Sequence, residues 1–226
     1  IVCTSDERIM ARKTRGETWE NLWDTSGTGV VNSISTEPLE KKVIYAGTVR
    51  GDVLISFDGG GSWYVTQKPS GVFSINSVVA VPGHPENALI DTYGVGGYIV
   101  WQTDDAGESW KPIGDNRFTR EPITLQIHQQ QAGTLYAFGA PGFFETQNNG
   151  TSWIYNNLRA PIASVTHIAI SRVTGGPTYL AVGGAVFINT EATSGSWQRG
   201  NELTAFTVRD LTTDIEDKTR AYVSVY

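Results

Sequence analysis

The chain has 226 residues, 39% hydrophobic and 18% charged, with a formal net charge of −6. That length can bury a sizeable core, while an acidic balance without any Lys/Arg cluster argues against nucleic acid as a partner. No apolar run approaches the roughly 18 residues of a membrane span, and the single cysteine, Cys3, leaves no internal disulfide and reads as a small buried strand residue.

Taken in order, the chain opens on three strand-like runs, "IVCTS", "RIMARKT" and "TWENLW". The first unit of the pattern that follows is "VVNSISTEP", then "VIYAGTVRGDVLI", then "SFDGGGSWYV". The second is "INSVVAVPG", "LIDTYGVGGYIVW" and "TDDAGESW", and the third "ITLQIHQQQ", "TLYAFGAPGFFET" and "TQNNGTSW". A fourth runs "VTHIAISRV", "TYLAVGGAVFINT" and "TEATSGSW", and the chain closes on "FTVRDLTTD" and "AYVSVY". Each middle segment is two β-branched and aromatic runs around a Gly-rich turn, the hairpin pattern.

Trp19, Trp63, Trp110, Trp153 and Trp197 mark the repeat, at spacings of 44, 47, 43 and 44 residues. Each follows a small hydroxyl residue: Thr18, Ser62, Ser109, Ser152 and Ser196. One unit is therefore four short strands, A to D, in about 45 residues. The expected fold is all-β, a propeller of four-stranded antiparallel blades with about five repeats, because such sheets bury their faces only against neighbouring blades. Twenty-one strands are one more than five blades of four. This leaves a closed five-bladed ring or an arc of a larger one, with the arc favoured. Residues 1–226 read as a single propeller domain, a processed part or fragment of a longer chain.

The pattern Ser/Thr-x-Asp-x-Gly-x-Ser/Thr-Trp resembles the Asp-box, or BNR repeat, found in sialidases, sortilin-type receptors, two-propeller xyloglucanases and photosystem II assembly factors. Ser56, Asp58, Gly60, Ser62 and Trp63 match it, as do Thr103, Asp105, Gly107, Ser109 and Trp110. Thr146, Gly150, Ser152 and Trp153 match with Asn148 in place of the acid. The outer copies depart, with Thr14 and Ala192 at the acid position and Ser194 for the glycine. A carboxylate here can close a turn by accepting backbone N–H groups, the glycine can take a positive φ, and the Trp offers a large apolar face. A calcium loop would need six or more oxygens and lacks its terminal Glu, so the box reads as structural.

The resemblance implies that ligands are met on the opposite face, by the B-to-C and D-to-A loops. Candidate residues there are Trp23, Asp24, Arg50, Asp52, Tyr98, Asp115, Arg117, Arg120, Phe143, Arg159 and Glu202, with Phe73 as a further aromatic anchor. Aromatic groups dominate interface energetics, and arginines suit bidentate capture of carboxylates. His84, His128 and His167 lack a second ligand at i+2 or i+4, so no metal is expected. No cofactor fingerprint occurs. The function expected is a non-enzymatic platform for a protein or glycan; the alternative is a glycoside hydrolase, xyloglucanase-like or sialidase-like, or one half of such an enzyme. The compartment stays open, with an extracellular or cell-surface setting favoured.

Overall fold

A computed structural model describes residues 2–4, 8–12, 18–24, 27–40, 42–113, 121–128, 131, 133–140, 142–156, 165–171, 173, 175–190, 197–200, 207–214 and 216–225, the side chains of 2–4 apart, so the environment of Cys3 lies outside the described residues. Among them every regular element is a strand. The first sheet holds β1 (Val2–Thr4), β2 (Arg8–Ala11) and β3 (Glu20–Asp24). Four four-stranded antiparallel units follow. The first is β4 (Val31–Thr36), β5 (Ile44–Thr48), β6 (Val53–Ser56) and β7 (Tyr64–Val65). The second is β8 (Val72–Val81), β9 (His84–Gly94), β10 (Gly97–Thr103) and β11 (Lys111–Ile113). The third is β12 (Ile123–Ile127), β13 (Leu135–Gly139), β14 (Gly142–Thr146) and β15 (Ile154–Tyr155). The fourth is β16 (Val165–Ile170), β17 (Thr178–Val182), β18 (Ala185–Asn189) and β19 (Gln198–Arg199). A last sheet pairs β20 (Val208–Thr213) with β21 (Ala221–Val225).

The core is a series of seams. Val43, Tyr45, Val53 and Ile55 of the first full unit pack against Val72, Ile75, Ala88 and Ile90 of the second. Val79, Leu89 and Val100 of the second then meet Ile123, Leu125, Ala137 and Phe144 of the third, and the pattern recurs along the chain. Because neighbours cover both faces of a unit, β5 and β6 are buried at every position. This is why their sequences read as continuous apolar runs instead of alternating ones.

Successive first strands lie side by side without forming a ladder, so the backbone N–H groups between them need other acceptors. Small hydroxyls supply them. Ser33 and Ser35 of β4 accept from the N–H groups of Val78 and Ala80, each at 3.0 Å, and Ser77 of β8 accepts from Leu125 N at 3.3 Å. Gly47 allows the same close approach, since a Cβ there would stand 2.7 Å from the Ile75 Cβ.

Several expected boundaries shift. The second unit's first hairpin is longer than its wording suggests: β8 begins at Val72, ahead of "INSVVAVPG", and β9 begins at His84, ahead of "LIDTYGVGGYIVW". Trp23 and Asp24 close β3 instead of opening a loop. Among the described residues no ladder joins β20–β21 to β1–β3, which remain two- and three-stranded sheets. A ring closed by a blade shared between these two sheets is therefore not what the ladders form.

Candidate functional site

The turns that carry the repeated box lie at one end of the units. Asp58 accepts hydrogen bonds from Ser62 N (2.8 Å), the Ser62 hydroxyl (2.7 Å) and the Ser56 hydroxyl (2.9 Å). Those donors, Ser62 N–H foremost, hold its carboxyl down at about 2. Ser56 Oγ in turn accepts from the buried N–H of Gly60 at 2.8 Å. Asp105 repeats this with Ser109 and Thr103, and Asn148 repeats it without charge, its amide donating to Ser152 Oγ at 2.9 Å.

The box glycines have φ of +98° (Gly60), +83° (Gly107) and +83° (Gly150). Each also abuts the unit before it: a Cβ on Gly107 would stand 2.7 Å from Thr66, and one on Gly150 2.7 Å from Ile113 Cδ1. Trp110 reaches back further, donating from Nε1 to Gln67 O at 2.7 Å. Each carboxylate thus accepts from donors of its own turn, and each of these turns abuts the unit before it. The outer copies around Thr14 and Ala192 fall in residues 13–17 and 191–196, outside the described residues.

At the opposite end, exposed aromatic rings cross the second full unit. Phe73 on β8 packs edge-on against Tyr93 on β9, with centroids 6.2 Å apart and planes at 65°. Tyr93 lies across the hairpin from Tyr98 on β10, at 5.2 Å and 45°. Phe73 is 55% exposed and Tyr93 46%. Val95, at the tip of the hairpin, is 72% exposed.

The β5–β6 turn abuts this row, for a Cβ on Gly51 would stand 3.3 Å from the Phe73 carbonyl carbon. Beside it Arg50 donates to Gly27 O at 3.2 Å, and Lys68 donates to Arg50 O at 3.1 Å while pairing with Asp52 at 3.5 Å. The site is therefore an apolar, aromatic ridge with two cations and one acid at its edge.

Of the residues expected here, Arg50, Asp52, Phe73 and Tyr98 are brought together. Phe143 is not: it is 1% exposed, stacked 5.6 Å from Tyr136 and edge-on to Trp197 at 5.1 Å, because β14 is covered by the next unit. That corrects its place among the ligand-face residues. Trp23 packs on the seam with Ile9 and Trp63, and Asp24 is exposed at the end of β3, paired in register with Arg8. Asp115, Arg117, Arg120, Arg159 and Glu202 lie outside the described residues. Tyr93 was missed, although its signal was readable: in "YGVGGY" the two tyrosines stand symmetrically about the turn, one pair beyond Gly94 and Gly97, and so oppose each other.

Among the described residues, cavities also open elsewhere. One of about 160 Å3 lies among the first strands of the third, fourth and last sheets, by Gln126, Ser171 and Thr213. Another, about 50 Å3, is lined by buried His128, Tyr136 and Glu145 with Thr178 and Asn189. Burial lowers the His128 pKa and raises that of Glu145. Among the described residues no three His, Cys, Asp or Glu side chains gather where a metal could sit.

No family model matches the sequence, and no curated protein matches it. Solved structures do. The GH74 enzyme of Niastella koreensis superposes with a TM-score of 0.70 at 16% identity, covering 91% of this chain and 36% of that one. An ancestral GH74 enzyme gives 0.69 at 16% identity, over 95% of this chain and 31% of the other. YCF48 bound to a D1 peptide gives 0.68 at 18% identity, over 97% and 69%. The fold is that of a β-propeller. The units are its blades, and the chain spans about a third of the GH74 proteins it resembles. At these identities the likeness carries the fold and nothing finer.

Proposed function

We propose that this propeller is a binding module that docks an extended segment of a partner protein across the row Phe73–Tyr93–Tyr98, and that residues 1–226 act in it as one domain. The observation that carries the reading is a row of touching aromatic rings, Phe73 and Tyr93 exposed and Tyr98 half-buried, in a chain whose other, box-bearing end spends its polar groups on its own turns. Exposed Tyr and Phe are the residue types that supply most of the energy at protein interfaces. Their planes stand at 45° and 65° to one another, which suits side chains inserting between rings better than a flat sugar lying over all of them. Arg50 and Lys68 at the edge would favour an acidic residue beside the apolar ones. We read the turns of the repeated motif as Asp-boxes, fasteners of the blades. That a structural neighbour was solved with a peptide accords with this use of the fold.

The test is selection from a random peptide phage library on the intact chain, with a Phe73→Ser/Tyr93→Ser double variant as counter-target. Selected peptides should carry apolar or aromatic residues and lose at least tenfold in affinity on the variant, given hot-spot values of about 2 kcal/mol. Peptides indifferent to the substitution would overturn the reading. A glycan-array signal dependent on the same residues would replace it with carbohydrate binding, and hydrolysis of xyloglucan would replace it with the enzymatic alternative.

A further inference from the structure

β9 sends every second side chain toward the third full blade: Leu89, Asp91 and Tyr93. Leu89 lies in the apolar seam with Val100, Ile123 and Leu125, and Tyr93 stands at the mouth of that seam in the aromatic row. Asp91, between them, is completely buried. The other full blades place Gly47, Phe138 and Ala181 at the equivalent point, opposite Ser33, Thr124 and His167 as Asp91 is opposite Ser77. Among the described full blades, an acid at this strand position is thus found in this seam alone, the one beneath the aromatic row.

Its hydrogen bonding is half made. Asp91 Oδ2 accepts from Asn76 Nδ2 at 3.1 Å and from Ile123 N, on the neighbouring blade, at 3.3 Å. Oδ1 has no partner. The elements packed around the carboxyl present Asn76 and Ser77 from β8, Tyr98 and Val100 from β10 and Ile123 from β12, with Glu121 just before that strand and Tyr93 on β9 itself. None of these described residues is a cation. Burial pushes the carboxyl up to about 7, against the smaller opposing pull of Asn76, the Ile123 N–H and the Thr92 N–H.

We infer that Asp91 is a proton-operated joint on the seam between the second and third full blades, closing it when neutral and loosening it when ionised. With its proton, the carboxyl sits in the seam at little cost and Tyr93 and Tyr98 are held on a closed floor. When the proton leaves to solvent, a charge with a bare Oδ1 is stranded among Leu89, Val100 and Ile123, and such a charge must be hydrated. Water reaches it by parting β9 from β12 at Ile123, which frees the two tyrosines above. The consequence for a ligand, weaker binding on the alkaline side, rests on the docking reading of the aromatic row; the joint itself does not.

The experiment is hydroxyl-radical footprinting of Tyr93 and Tyr98, with hydrogen exchange of the segment 121–127 corrected for intrinsic rates, on the intact chain at about pH 5.5 and about pH 8.5. The wild type should show roughly fivefold more tyrosine oxidation and faster exchange at the higher pH. Asp91→Asn should show neither change, and Asp91→Ala, which copies the residue type of the fourth blade, serves equally if the amide folds poorly. No response in the wild type, or an equal response in either variant, overturns the joint. If the docking reading alone is wrong, no row-dependent peptide will be selected while the seam still answers to pH.

Discussion

Replacing Thr103 with valine isolates the hydroxyl that opens the second full blade's box. The side chain is 1% exposed at the end of β10, so a valine of nearly equal shape keeps the packing. What disappears is one oxygen with three tasks: it accepts from Gly107 N at 2.8 Å and from Asp105 N at 3.3 Å, and it donates to Asp105 Oδ1 at 2.7 Å. Gly107 is buried, and an orphaned buried N–H costs about 1–3 kcal/mol. The methyl that replaces the hydroxyl returns at most about 0.8 kcal/mol. The exposed carboxylate of Asp105 keeps water and Ser109, so it adds little. The net loss is about 1–2 kcal/mol, or roughly 2–8 °C in Tm for a chain of this size.

Urea unfolding followed by tryptophan fluorescence measures this loss directly, and a pH series adds an internal check. Asp105 is held down at about 2 by the Ser109 hydroxyl first, then Ser109 N–H and Thr103. A depressed acid contributes stability above its unfolded value of 3.8, and that contribution disappears as pH falls toward 2. Part of it is missing in Thr103→Val, so the gap between the two proteins should narrow as pH falls from about 5 to about 2. A gap under about 0.5 kcal/mol at neutral pH, the range of an ordinary surface change, would refute the claim that this hydroxyl holds the turn.

Three further outcomes are expected. Asp91 has a raised pKa, so the folded chain holds its proton longer than the unfolded chain. Stability should then decline as pH climbs from 3.8 to about 7, by up to about 4 kcal/mol at 1.36 per unit. Urea midpoints across that window test this, and Asp91→Asn should flatten the profile. Gly47→Ala should destabilise by about 1–3 kcal/mol through overpacking against Ile75, read as a lower melting temperature. Asn148→Asp should raise the midpoint at neutral pH and lose that gain as pH falls from about 4 to about 2, because a carboxylate would accept from the Ser152 hydroxyl where the amide now donates to it; equal gains at neutral pH and at about pH 2 would show that charge is not what the turn uses.

Spacing and residue type were enough to read the repeat, the four-strand unit and the box in this chain. These are local or periodic properties: a hydroxyl, an acid and a glycine within eight residues close one turn by themselves, and a tryptophan every 43 to 47 residues requires identical units to stack. What faces what was decided only by the folded chain. Phe143 and Tyr93 flank Gly-rich hairpin turns of similar wording, yet one is sealed by the next blade and the other stands in solvent, because exposure depends on the neighbouring unit and on hairpin length. Asp91 shows the same limit more sharply. In "LIDTYG" it reads as a polar residue near a turn, but the length of β9 carries it down into the seam, where a completely buried carboxyl meets apolar side chains and few donors.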